Sequence, residues 1–321
     1  MSHAIERLED GTYAMAWAGD VPWHGLGYKV PSDLTPTQML KAAHLDWEVE
    51  KVPAFAIYEG KKIAVGREAL VRKSDGRVLD VVTPDWNSVQ NKDAFEFFDV
   101  FSRAGDCDMH TAGSLQDGKI VWGLAKMKES FELFRNRDKI DAYLLFTNYH
   151  KYGFATDIRF TPVRVVCANT LALSLASKGD KVVRVSHRRE FVADEVKETL
   201  GVAKEKLAKY KEVAKFLGSK KYKEQTASEY FMEMFPNSTR KEEKKLDASR
   251  MAKMAMDIVE TQPGAEYAPG TFWNMYNAVT FLTDHEMGRT DDARLTNAWY
   301  GGARKLKVRS LEKAVELANA A

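Results

Sequence analysis

Residues 141–176, DAYLLFTNYHKYGFATDIRFTPVRVVCANTLALSLA, form the most apolar long segment of the chain, and that limits how it can fold. The spacing predicts two strands joined by a turn at Tyr152-Gly153 and running without a break into a helix of small residues. Strands this apolar have to be covered, so the core is expected to form here and the other elements to gather around it.

Upstream, WEVEKVPAFAIY, KKIAVGREALVR and RVLDVVTPDWNSVQ read as three strands, with turns at Glu59-Gly60 and Ser74-Asp75-Gly76. A helix follows, DAFEFFDVFSRAG. Phe97, Phe98, Phe101 and Ala104 give its apolar stripe, Asp93-x-x-Glu96 its cap and Gly105 its end. MHTAGSLQ and KIVWGLAKMK then make a hairpin about Asp117-Gly118, and the charged RNRDK connects it to residues 141–176. These turns are too short for crossovers, so the sheet should be mainly antiparallel.

Nearer the start, residues 1–35 carry too many glycines and prolines for a regular element, and Ser32-Asp33 or Thr35-Pro36 opens a helix, TPTQMLKAAHL, with Pro36 suited to its first position. Past Lys181 a strand, KVVRVSH, leads into a long amphipathic helix at 191–217 with Val196, Leu200, Ala203, Leu207, Tyr210 and Ala214 on one stripe. The charged block 219–250 has a loop around Pro236-Asn237-Ser238, and helices are expected at 249–260, 271–287 and 303–320. The expected fold class is α+β. An irregular segment, 1–35, precedes a core, 36–190, built as β-β-β-α and further hairpins, and a helical region, 191–321, follows.

The charges nearly cancel, 48 Lys and Arg against 46 Asp and Glu, so no global field demands nucleic acid or membrane. No window approaches the ~18 apolar residues of a spanning helix, and the acidic start lacks the apolar stretch of a leader. Two cysteines, Cys107 and Cys167, fit buried free thiols and a reducing compartment, so a cytoplasmic protein is expected. Cys107-x-x-His110 has ligand-like spacing but no partner pair, and no metal or cofactor is expected. His24, between Trp23 and Gly25, reads as fixing a tight turn. Phosphate-binding loops, nucleophile elbows and His-Glu-x-x-His helices are absent from the sequence. Asp284-His285-Glu286 on a helix would point about 100° apart and not converge. No catalytic residue is assigned.

What remains is local clustering of cations. Lys61, Lys62, Arg67, Arg72, Lys73 and Arg77 gather around one hairpin. Lys119, Lys126 and Lys128 flank another, with Trp86 and Trp122 near in sequence. Arg184, Arg188 and Arg189, with His187 among them, form a third basic run. A single-strand binder needs cations along the phosphates and flat rings for the bases. The competing reading makes these lysines ordinary solvent-face residues and both tryptophans core; alternation with Ile120 and Leu124 places Trp122 in the core.

Several stretches bear a family resemblance: Pro22-Trp23-His24-Gly25-Leu26-Gly27, Leu45-Asp46-Trp47, Val121-Trp122-Gly123-Leu124-Ala125, Arg164-Val165-Val166-Cys167-Ala168-Asn169-Thr170-Leu171, and Tyr276-Asn277-Ala278-Val279 with Asp284-His285. They span nearly the whole chain, which resembles the phage/plasmid-like protein family of unknown function. The element order of 48–104 is similar to the core of Rad52-type single-strand annealing proteins. That resemblance implies a hairpin presenting cations to a nucleic-acid backbone, and subunits assembled in rings. The expected function is a non-enzymatic phage or plasmid protein that binds or anneals single-stranded DNA in recombination, acting as a homo-oligomer without membrane attachment. The alternative is a protein-interaction or assembly factor acting on a host target or in virion construction.

Overall fold

A computed structural model describes residues 5–19, 26–103, 105–134, 138–164, 169–170, 183–185, 187, 193–237, 248–288, 297 and 301–321. The chain is α+β. It divides into two compact units, one of residues 1–128, 143–160 and 181–201, the other of 129–142, 161–180 and 202–321. Among the described residues no helix is long and apolar enough to cross a membrane.

In the first unit, strand β1 (Met15–Trp17) lies between β2 (Tyr28–Lys29), which is parallel to it, and β6 (Cys107–Leu115), which is antiparallel. The sheet continues through β7 (Ile120–Leu133), β8 (Asp138–Tyr149) and β9 (Thr156–Arg164), with β11 (Val183–Val185) antiparallel to β9. The segment expected to be irregular thus supplies two strands. They are only two or three residues long and are fixed by pairing to β6 or to each other, so no local period marks them. Residues 20–25, with most of the Pro-Trp-His-Gly motif, lie outside the described residues.

Helix α1 (Pro36–Ala42) starts as expected, with Pro36 in its first turn and a reciprocal capping box between Thr35 and Gln38. Helix α2 (Asn91–Arg103) begins two residues earlier than Asp93, which therefore sits inside the first turn. Met39 and Leu40 of α1 and Ala94, Phe95 and Phe98 of α2 share one core with Ala112, Val121, Ala125, Leu144, Phe146 and Ile158. At Gly123 the α2 helix comes very close, since a Cβ there would lie 3.0 Å from the Phe98 ring and 3.2 Å from Phe95. The family-like Trp122-Gly123 pair therefore has a packing reason: one residue fills the core, and the other leaves room for α2.

A second sheet in this unit has only three strands, β3 (Val49–Tyr58), β4 (Lys61–Arg72) and β5 (Val78–Val82), all antiparallel. Its base packs through Val49, Leu70, Leu79, Val82 and Trp86, with Trp47 against them. β5 stops at Val82, so residues 83–90 are not the strand their sequence suggests.

The second unit is mostly helical: α3 (Ala193–Ser219), α4 (Glu224–Met234), α5 (Arg250–Ile258), α6 (Phe272–Phe281) and α7 (Gly302–Ala320). Helix α4 falls in the charged block, where its buried face of Ala227, Tyr230, Phe231 and Met234 is interleaved with exposed charge. Helix α6 is buried from Phe272 to Thr280. Glu260 pins the loop before it, accepting from the Gly270 amide at 3.0 Å and the Tyr222 hydroxyl at 2.5 Å. A π-turn at Leu282–Glu286 places Asp284 against Lys307 of α7, a buried pair 2.7 Å apart. The expected helix after β9 falls largely on residues outside the described set, and Asn169–Thr170 form a short strand, β10, antiparallel to β9.

Candidate nucleic-acid interface

Cation positions were the main functional expectation, and the structure sorts them into three groups. Arg72 is buried: its guanidinium is 2.5 Å from Glu6 and 2.6 Å from Asp75, and it lies over the Trp47 ring. Burial opposes its charge, but the hydrogen bonds it donates to Asp75 and Glu6 outweigh this and raise its pKa, while the same contact holds Asp75 down to about 2. Trp86 is buried as well, stacked on His187 with centroids 4.2 Å apart. Neither is open to a ligand arriving from solvent. Arg72 and Trp86 therefore drop out of the candidate interface.

A second group is exposed or half-buried. Lys73 pairs with Glu48 at 2.7 Å, Arg77 is within 3.6 Å of both Asp75 and Asp117, and Lys128 pairs with Asp108. Lys119 is half-buried, and its carbonyl accepts from the His150 amide. Lys126 is half-buried. Arg188 and Arg189 lie outside the described residues, as does the side chain of Arg184, whose backbone pairs with Asp157.

The third group comes together. Lys61, Lys62 and Arg67 sit on the outer half of the β3–β4 hairpin, where residues 55–67 are all exposed. None has an ion pair among the described residues. Glu59 and Gly60, both with positive φ (48° and 73°), make the two-residue turn that suits strand twist. The register Phe55↔Ala64 and Ile57↔Lys62 puts those four residues on one face, and Ala56↔Ile63 and Tyr58↔Lys61 share the other. Each face of this arm therefore presents an aromatic ring and a lysine. On one, the Lys62 ammonium lies 3.8 Å from the Phe55 centroid.

The β8–β9 turn adds aromatic residues that cation counting overlooked. Asp80 of β5 accepts from the Tyr152 amide at 2.8 Å through one oxygen and from its neighbour Val81 through the other, tying the turn to the small sheet. Arg67 then lies 5.8 Å from the Tyr152 ring, and Lys151 5.1 Å from the Phe154 ring. Phe55, Tyr152 and Phe154 are 45%, 44% and 47% exposed, so these rings are open as well as close to charge. The available signal was two aromatics flanking a turn glycine, where polar residues are the rule.

Beneath the base of the arm lies a buried polar network. Asn91 donates through Nδ2 to the Leu45 carbonyl at 2.9 Å, so its Oδ1 accepts from His150 Nε2, also at 2.9 Å. His150 Nδ1 then faces no donor among the described residues. Burial, then His187 and Arg72 nearby, push the His150 pKa down to about 3, and burial lowers that of His187 also. Both folded-state values lie below the free value of 6.5, so the unfolded chain binds these protons first. Stability should therefore fall as pH drops below about 6.5, by about 1.4 kcal/mol per pH unit for each histidine that is still neutral in the fold. Urea titrations at pH 7, 5.5 and 4.5 measure this, and His150→Gln should flatten the dependence. An unchanged slope would remove His150 as its cause.

Among the described residues no group of three or more His, Cys, Asp or Glu could hold an ion. The buried Cys107 thiol is pushed up to about 12 by burial and by Asp108 and Asp106, and is no thiolate at neutral pH.

A family described as Domain of unknown function (DUF932) matches residues 78–304. No curated protein and no solved structure matches the chain.

Proposed function

Because the chain belongs to the DUF932 family, whose description states no activity, function has to come from geometry, and we propose that this protein binds single-stranded nucleic acid through the β3–β4 arm. The observation that carries this reading is the set of exposed cation–ring contacts, Lys62 with Phe55, Arg67 with Tyr152 and Lys151 with Phe154. Unpaired nucleotides offer phosphate to the cations and flat faces to the rings, and base stacking contributes roughly 1–3 kcal/mol per base. A duplex hides those faces, so single strands are preferred. Binding without chemistry, in the recombination of a phage or plasmid, fits both this surface and the sequence resemblance.

Labelled oligonucleotides titrated over a salt series test the proposal. With Lys61, Lys62, Arg67 and Lys151 on the phosphates, the log–log slope should be about −2 to −3. Replacing Lys61, Lys62 and Arg67 together by glutamine should reduce its magnitude by about 2. No binding by the wild type at low salt would overturn the reading.

One observation favours assembly instead. Ile57, 81% exposed, stands on one face of the small sheet and Ile63 and Val65 on the other, with Val78 and Val81 exposed on β5, apolar side chains suited to a protein surface. A defined oligomer in light scattering that Ile57→Asp disperses, with no response to oligonucleotides, would select this second reading.

A further inference from the structure

We infer that the β8–β9 turn is a seat for one unpaired nucleobase, with Phe154 as its platform and Lys151 and Arg67 as its phosphate partners. The inference rests on the nucleic-acid reading but names a site separate from the arm tip. Phe154 stacks on Tyr149, centroids 5.1 Å apart and planes within 24°. Tyr149 is buried at 5% exposure while Phe154 is 47% exposed, so an anchored ring backs an open one. A base added to this pair continues a stack already built, and the half-exposed ring loses little freedom when it does so.

Charge complementarity selects the occupant. Lys151 lies over the Phe154 ring and Arg67 near Tyr152, and neither has an ion pair among the described residues. A cation resting on an exposed ring is held more weakly than a stacked base, so the base displaces the ammonium and leaves it for the adjoining phosphate. Asp80, which touches the turn, accepts from two backbone amides and fixes the turn in place. Gly153, at φ +82°, gives the sharp reversal that brings Tyr152 and Phe154 out together.

Two strands of equal length test the seat, one with bases and one made of abasic sites, which keeps the phosphates and removes the stacking faces. The wild type should bind the base-bearing strand about tenfold more tightly. Phe154→Leu combined with Tyr152→Leu should abolish that preference and leave the salt slope nearly intact, with thermal melting confirming an intact fold. Lys61→Gln with Lys62→Gln should do the reverse, lowering the slope and keeping the preference. A preference that survives in the turn variant, or is absent from the wild type, overturns the seat while leaving nucleic-acid binding in place. Failure to bind either strand overturns both. Self-association that the turn variant abolishes would mark the turn as a subunit contact and would also overturn the seat.

Discussion

Arg72→Ala is expected to destabilise the protein by about 3–5 kcal/mol, because it strands a buried carboxylate. Glu6 is only 2% exposed and satisfies its oxygens with Arg72 Nη1 at 2.5 Å and the Ser114 hydroxyl at 2.7 Å. Without the guanidinium, Glu6 stays inside with the Ser114 hydroxyl and the more distant Arg77, 3.8 Å away, or takes up a proton. The same guanidinium grips both oxygens of Asp75, at 2.9 and 2.6 Å, closing the β4–β5 turn. Arg72→Lys should recover little, since an ammonium cannot make that fork. Combining Arg72→Met with Glu6→Gln should recover much of the loss by removing the buried charge as well as its partner. Chemical denaturation of the three variants measures this, and a loss below about 1 kcal/mol for Arg72→Ala would show that the pair is not a stabilising contact.

Trp273→Ala should cost a similar 3–5 kcal/mol in the helical unit. This indole is fully buried, meets Tyr210 edge-on at 6.2 Å and Tyr276 at 5.8 Å, and donates Nε1–H to the buried Asp138 carboxylate at 3.0 Å. Trp273→Phe separates the two contributions: it keeps most of the ring packing and removes the donor, at a cost of roughly 1–3 kcal/mol. Equal destabilisation by both substitutions would mean that the hydrogen bond to Asp138 carries the effect and the aromatic cluster adds nothing.

Most elements announced themselves locally. The start of α1 at Pro36, the Glu59-Gly60 turn, the Asp117-Gly118 hairpin and the 27-residue α3 helix follow from caps, turn chemistry and period alone. Long-range partners did not. Arg72 read as one of the exposed hairpin cations, yet it alternates with the fully buried Leu70 and faces inward, and the carboxylate that permits this lies 66 residues away at Glu6. Conversely, Phe55, Ile57, Ile63 and Val65 have the alternation of a half-buried strand, but they lie on the two-stranded outer half of the hairpin and remain in solvent. The same surface drew in Tyr152 and Phe154 through Asp80, a contact across 72 residues that no local window contains. The candidate site was therefore half legible: Lys61, Lys62 and Arg67 stood out by sequence, while Lys151 and the rings emerged only once the turn and the arm were placed together.

The register between β4 and β5 begins at Glu68, so everything beyond it on the hairpin is a ribbon of two strands. A two-stranded ribbon in water is marginal by itself, and no core packing dictates which side chains it carries. The chemistry of that ribbon is thereby released from the demands of folding. Related chains could exchange its tip residues freely, leaving the body beneath untouched.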